Sequence, residues 1–597
     1  MLEIIISFFK YLKIFQKFTK GGIYLSFFLT TIAGLTEGFG IILLLPIVQS
    51  ISGNVENSET GISKFIFLFL KNFNINDSYG VILFLITLAF IIKAFLIFLT
   101  YTYNSYLKGK LLKDLKKKIF SSFSKISYQH YLKNNIGDLT NIINEQVNLS
   151  VRGFNSLYTV GLRAINCIIY LFFACLLAGK AGILSIFGSF IILFLFRWLN
   201  TATKIMSINT SKANSKLANL TIESLQAFKY LKATEQFRIK VDEAEESIKE
   251  LSDYQTKTSI LEGFTSACRE PIAVVVIMFI LFVQLYFIKK PIDSLLVSLI
   301  LFYRGLISTL GVQGSWQKTQ EYLGSFEMVL SNLKSLANNF ENNGNKLIDN
   351  FKYIQFSNIF FKYTNKDSYS LKNLNLIIPA KKSIAFVGAS GAGKSTIANL
   401  ICLLLKPNKG DINIDNINHK NIDKDSWRSQ IGYVSQEMAI FDNTIGYNIS
   451  LNKNYKNENN LILKIKENAK KANIDDFIET LPDGYETKVG ESGLRLSGGQ
   501  KQRLFIAREL FREPKILILD EATSSLDTLS EKAIKKSIDL LKGKITIILI
   551  AHRISTIKDS DFIYVIDKGN ILEKGKYSTL KNKKDSFFNN LISSQKL

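Results

Sequence analysis

The sequence predicts a multi-domain chain, an all-α transmembrane domain of six helices fused to an α/β domain built on a mostly parallel sheet. Three observations carry this. Long apolar runs crowd the first half, with lysines between them. Beyond about residue 350, strand-like runs alternate with helical ones, the pattern of a sheet wrapped by helices. And Ser383–Val387, an apolar strand, leads through Gly388-Ala-Ser-Gly-Ala-Gly-Lys-Ser-Thr396 into an apolar helix expected over Ile397–Leu405. At 597 residues the chain is too long for one core.

Composition narrows the class. The formal net charge of +24, from 74 Lys+Arg against 50 Asp+Glu, invites a nucleic-acid partner. With 47% of residues hydrophobic and gathered in runs, the lysines instead match the cytoplasmic flanks of membrane spans, and no nucleic acid is expected. The four cysteines (Cys167, Cys175, Cys268, Cys402) lack metal spacing and read as inert packing residues rather than a disulfide framework.

In chain order, Met1–Lys20 mixes apolar residues with Lys10, Lys13, Lys17 and Lys20, without a cleavage site. This predicts an interfacial amphipathic helix, not a signal peptide. Six spans follow, near Ile23–Val48, Gly80–Tyr101, Leu157–Ala178, Ala181–Trp198, Pro271–Ile288 and Ile292–Leu310. Lysines from Lys108 to Lys118 after the second span, and a long charged segment after the fourth, belong on the cytoplasmic side. Six crossings then return the chain to the cytoplasm. Glu37, Lys93, Arg163 and Arg304 fall inside or near the ends of spans, where a charge costs roughly 2.5–3.5 kcal/mol. Pairing between helices is one reading. The other is a polar translocation cavity, with Glu37 and Arg304 the substrate candidates. The apolar stretch Lys64–Phe73 is too short to span and predicts a short helix at the outer surface. Tyr128–Leu139 and Glu223–Lys232, at the tips of the two cytoplasmic excursions, predict corners that contact the second domain.

The second domain carries the chemistry. Residues 388–396 satisfy G-x-x-x-x-G-K-[ST] in a strand–loop–helix setting, the phosphate loop of a P-loop NTPase. Gly388, Ala389, Ser390, Gly391, Ala392 and Gly393 let the backbone wrap phosphates. Lys394 reaches the β and γ phosphates, Ser395 offers a hydroxyl to Mg²⁺, and Thr396 completes the turn. Ile516–Leu519 reads as a strand buried on both faces, with Asp520 and Glu521 at its carboxyl end, suited to metal binding and general-base work. Leu496, Ser497, Gly498, Gly499 and Gln500 form a Gly-rich turn opening a helix, with backbone N–H groups that can face an anion. Tyr363 is placed to stack on an adenine, and Gln436 and His552 each follow a strand end. ATP and Mg²⁺ are the expected cofactors.

With these motifs in this order, the chain resembles exporter-type ATP-binding-cassette half-transporters over nearly its whole length. The matching segments also include Thr487–Gly493 and Ser525-Leu526-Asp527; Ser525 stands where the family usually has alanine. The resemblance implies that Asp520 orients Mg²⁺, Gln436 contacts metal and attacking water, Glu521 is the general base, and His552 holds the γ-phosphate. It further implies that Ser497–Gln500 of one chain cap the ATP held by another, with Leu496 and Asp527 also among the nucleotide-binding residues, so the partner is a second copy, with a heterodimer the alternative. The expected domains are an elbow helix over 1–20, a transmembrane domain over 21–337, a linker over 338–350 and a nucleotide-binding domain over 351–597. In the membrane half, Thr36-Glu37-Gly38, Pro46, Lys93 and Phe302-Tyr303-Arg304 resemble bacterial lipid-linked oligosaccharide flippases. That implies an amphipathic, lipid-linked substrate, contact with membrane lipids, and a place in the inner (cytoplasmic) membrane with the nucleotide-binding domain in the cytoplasm. Exporters of other lipids, drugs or peptides are the alternative within the family. An ATP-gated channel or regulator is the alternative from another class.

Overall fold

The computed structural model describes residues 2–51, 79–133, 136–283, 286, 292–363, 368–520, 528–550, 554–583 and 586–594. The chain forms two compact units, Met1–Ile126 with His130–Phe340, and Glu341–Leu597 with Ser127–Gln129.

The first unit is helical. Helix α1 (Leu2–Thr19) buries Tyr11, Leu12 and Phe15 and leaves Ile5, Ile6 and Phe9 exposed, as an amphipathic stretch requires. Phe15 stacks on Phe326 at 4.4 Å, and the Tyr11 hydroxyl donates to Glu327 at 3.0 Å. The first span is broken. It runs as α2 (Gly22–Ile42), turns at Leu43 and resumes as α3 (Leu44–Ile51), where Pro46 sits in the first turn and sacrifices no helical hydrogen bond. Helix α4 (Tyr79–Phe123) has 45 residues. At 1.5 Å per residue it is roughly twice the thickness of a bilayer's hydrocarbon core, so its lysine-rich half extends beyond the membrane. Short helices α5 (Tyr128–Tyr131) and α6 (Ile136–Asn141) make the first corner. Helix α7 (Val147–Ala178) and α8 (Lys180–Leu195) are joined at Gly179.

A second corner interrupts α9 (Arg197–Gln226) and α10 (Phe228–Ala233) at Ala227. Helices α11 (Phe237–Val283) and α12 (Ile292–Asn338) are each 47 residues. Among the described residues six segments are long and apolar enough to cross a membrane, the number the sequence predicts. Their outward faces (Phe84, Ile91, Phe95 and Phe98 on α4; Val275, Met278 and Phe279 on α11) are bare apolar surface that water would not tolerate. The expected outer helix at 64–73 and the end of the fifth span lie outside the described residues.

The second unit has two sheets. Strands β1 (Tyr353–Phe361), β2 (Leu371–Pro379), β4 (Lys409–Ile414) and β5 (Ile417–Asn418) form an antiparallel sheet in the order β2-β1-β4-β5. The larger sheet, in the order β10-β9-β3-β8-β7-β6, contains β3 (Ser383–Val387), β6 (Ile431–Val434), β7 (Ile516–Asp520), β8 (Thr546–Ile550), β9 (Phe562–Asp567) and β10 (Asn570–Gly575). All its pairings are parallel except β9 with β10. Successive residues of the central strands serve opposite cores. Ala385, Val387, Leu517, Leu519, Ile547 and Leu549 pack on one face, Ile384, Phe386, Ile516, Ile518, Ile548 and Ile550 on the other. That is why these strands read as unbroken apolar runs.

The segment expected to be a linker is fastened to this unit. Arg428 of α14 (Lys424–Ser429) makes a two-pronged contact with Glu341 at 2.6 and 2.7 Å, and Lys424 approaches the same carboxylate at 3.3 Å. Burial raises the Glu341 carboxyl's affinity for its proton, but the two cations outweigh it and hold the group below the usual carboxylate range.

Candidate functional site

Strand register builds the site. Phe386 pairs with Ile550, and Ile550 with Asp520, so β3, β8 and β7 end level with one another at their carboxyl ends. The phosphate loop leaves β3 there. Gly393 caps α13 (Lys394–Ile401) at φ 107°, and a side chain on it would meet Leu371 and the Ser370 carbonyl, so only glycine fits. Lys394 is 4% exposed, and its ammonium donates to the Gly388 and Ala389 carbonyls at 2.9 and 2.8 Å. The Ser395 hydroxyl donates to Asp520 Oδ1 at 3.2 Å. The Tyr363 hydroxyl lies 3.2 Å from Thr396 Oγ1, placing its ring beside the loop. Gln436 is exposed two residues past the end of β6.

Helix α13 ends at Ile401, short of the expected Leu405, and Leu403 turns to φ 52°. The reason is long-range. Trp427 Nε1 donates to the Ile401 carbonyl at 2.8 Å, and Arg428 donates to those of Cys402 and Leu403 at 3.0 and 2.6 Å, satisfying carbonyls that a longer helix would have used. The Cys402 thiol is pushed up to about 12 by burial, which leaves it inert as expected.

The Gly-rich turn opens α15, the helix Gly498–Phe511, through a capping box. Ser497 N–H donates to Gln500 Oε1 at 2.8 Å, and Gln500 N–H to Ser497 Oγ at 3.3 Å. Each side chain thus accepts from the other residue's backbone N–H. Leu496 is buried beneath the turn, while Ser497 and Gly498 are exposed. Glu521, Asp527 and His552 lie outside the described residues.

Three positions were missed in the sequence. Tyr433 of β6 donates its hydroxyl to Asp520 Oδ2 at 3.2 Å, so that carboxylate is held from both sides. Burial, then the Asp520 charge, push the Tyr433 phenol far above its ordinary range, which keeps it a donor. Arg508 of α15 is buried and donates to the carbonyls of Asn448 (2.6 Å) and Ala439 (2.5 Å) and to Asn448 Oδ1 (2.7 Å). It ties α15 to the segment that follows Gln436. Glu509 accepts from Tyr433 N–H at 3.2 Å, fastening α15 to the sheet edge. For Arg508 and Glu509 the available signal was two adjacent charges in the otherwise apolar buried run Leu504–Leu510.

In the membrane unit, Glu37 of α2 is 1% exposed and collects partners from three other helices. Lys93 Nζ lies 2.8 Å and Arg304 Nη1 3.5 Å from its two oxygens, and the Tyr170 hydroxyl donates to it. The two substrate candidates are thus brought together, as partners of each other.

Comparison with known proteins accords with this geometry. A family model described as ABC transporter matches residues 371–524, and one described as ABC transporter transmembrane region matches 23–311. The heterocyst differentiation ATP-binding protein HepA of Nostoc sp. is 30% identical over 579 residues, 95% of this chain and 92% of that protein. The chain belongs to the ABC transporter family. It is an ATP-hydrolysing exporter and a multi-pass membrane protein. The ATP-dependent lipid A-core flippase of Haemophilus influenzae is 44% identical over 227 residues, a match spanning 38% of each chain. A solved bacterial Atm1-family ABC exporter with ATP bound shares the fold, with TM-score 0.80 and 24% identity over 97% of this chain and 98% of that one.

Proposed function

We propose that this exporter is a flippase that moves a lipid-linked substrate, of the lipid-linked oligosaccharide type, across the cytoplasmic membrane as a homodimer. The observation that carries the reading is the interior charge of the membrane unit. Buried Glu37 is paired with two cations, Lys93 and the half-exposed Arg304, so a cluster set among apolar spans carries one net positive charge. An interior of that sign at span depth suits an anionic lipid head and is costly to keep for a purely apolar cargo. Similarity to the lipid A-core flippase supports a lipid class of substrate.

In the cycle, Lys394 and the loop amides would bind the β and γ phosphates. Ser395 and Asp520, already within hydrogen-bond reach of each other, fit a Mg²⁺ ion that Gln436 would complete, and the ion would neutralise charge on the phosphates. Glu521 would take the proton of the attacking water and His552 would hold the γ-phosphate. Ser497–Gln500 and Asp527 would cap the nucleotide of the second copy, since the Ser497 and Gln500 side chains here serve the helix's own N-terminal amides and Ser497 and Gly498 are exposed. Closure of the two cassettes would open the spans outward, and hydrolysis would reset them.

The test is ATP-dependent flipping in proteoliposomes that carry a lipid-linked oligosaccharide, a glycerophospholipid or a neutral glycolipid. Movement of the lipid-linked oligosaccharide above the others is expected. ATPase stimulation by peptides alone would overturn the reading.

A further inference from the structure

Tyr433 is fixed beside the phosphate loop through both its backbone and its side chain. Its N–H donates to Glu509 Oε2 at 3.2 Å, which ties the edge strand β6 to α15. Its ring packs against the core on the Ile518 face of the sheet. Register then aims the hydroxyl. Tyr433 pairs with Ile518 of β7, two residues short of Asp520, and alternate residues of a strand share a face. Asp520 therefore lies roughly 6–7 Å further along that face. Serine or threonine at this position would stop short of it. Tyrosine reaches it, and its hydroxyl donates to Asp520 Oδ2 at 3.2 Å.

Asp520 is 5% exposed, and a buried carboxylate is costly unless it is hydrogen-bonded. Its two oxygens have different partners. Oδ1 accepts from the Ser395 hydroxyl at 3.2 Å, and Oδ2 accepts from Tyr433. Ser395 and Asp520 are the pair that fits a metal, so the contact between them is the one that metal binding would replace. The Tyr433 bond lies on the other oxygen and can persist. A rigid ring with two rotatable bonds makes that hold with little loss of conformational entropy.

We propose that Tyr433 is a positioning residue for the metal: its hydroxyl fixes the rotation of the Asp520 carboxylate, so that Oδ1 stays directed toward the Ser395 hydroxyl and the pair is ready for Mg²⁺. The same strand delivers Gln436, two residues past its end, so β6 sets both. This deepens the Mg²⁺ reading of Ser395 and Asp520 and rests on it.

The experiment measures binding of a fluorescent, non-hydrolysable ATP analogue to the full chain in nanodiscs, with saturating Mg²⁺ and with EDTA, so that turnover does not enter the readout. In wild type Mg²⁺ should tighten binding. Tyr433→Phe keeps the ring and removes the hydroxyl. It should remove about tenfold to a hundredfold of that gain, the usual cost of losing a partner of a metal-binding carboxylate, and leave binding in EDTA within about twofold. In an Asp520→Asn background the same change should do nothing further to the gain. Should Tyr433→Phe fail to fold, Tyr433→Met, which also fills the space without a donor, takes its place with the same expected results. An unchanged gain, an equal loss with and without Mg²⁺, or an undiminished effect in the Asp520→Asn background would overturn the positioning role and leave the metal reading intact. Wild type binding the analogue equally in Mg²⁺ and in EDTA would overturn the metal reading, and the role of Tyr433 with it.

Discussion

Glu37 offers a test of what buried charge does in the membrane unit. It is 1% exposed, and Lys93 Nζ at 2.8 Å and Arg304 Nη1 at 3.5 Å come from helices far apart in sequence. Changing Glu37 to Gln leaves both cations without their counter-charge, and removing one partner of a buried pair costs about 3–5 kcal/mol. The Lys93 side chain is 18% exposed, so losing it costs less, and Lys93→Met can cover the apolar surface its stem now covers. If the pair locks α2 to α4, the double variant should recover much of the loss. A coupling energy of about 1.5 kcal/mol or more is expected from a thermal-unfolding cycle of wild type, Glu37→Gln, Lys93→Met and both together. Additivity within about 0.5 kcal/mol would refute the lock. Arg304→Gln should cost less than Glu37→Gln, because its side chain is 46% exposed and its approach longer.

Three further predictions concern the second unit. Ser497→Arg should abolish ATP turnover while nucleotide binding to the same chain persists, measured by fluorescent-nucleotide titration; loss of binding itself would place Ser497 in its own chain's site. Arg508→Met removes three charge-assisted hydrogen bonds to Asn448 and Ala439 and should destabilise the cassette by about 3 kcal/mol or more, read as a lower melting temperature and slower turnover; an unchanged melt would remove the tie. The Glu341 pair adds stability that is complete above the ordinary carboxylate pKa and is lost as pH falls through the depressed folded value. Melting curves from pH 7 down to about 3 should therefore be steeper in wild type than in Glu341→Gln, and parallel curves would contradict the pairing.

Much of the site was legible because its motifs are local. The strand, phosphate loop and helix at 383–401 are contiguous, and the alternation of Ile516–Leu519 between two cores leaves a recognisable apolar run. What was hidden depends on distance along the chain. Arg428 and Trp427 stop α13 from some 25 residues away, where no helix-stop residue announces it. The polar stretch at 338–350 reads as a linker with no sign of what holds Glu341 and Asn342, because their partners, Arg428 and Lys424, lie more than eighty residues on. Glu37, Lys93 and Arg304 were each visible as charges at span depth, but pairing and substrate contact leave the same mark in sequence. Their convergence on one another is visible only in three dimensions.

The central claim is that ATP turnover drives lipid movement, and Glu521 allows the most direct measurement. Wild type and Glu521→Gln would be reconstituted into identical vesicles with a fluorescent lipid-linked oligosaccharide, and ATP-dependent loss of accessible label followed. The account predicts rapid movement by wild type, and near-background movement by a variant that still binds ATP. Equal rates from the two would show that hydrolysis at Glu521 does not power transport.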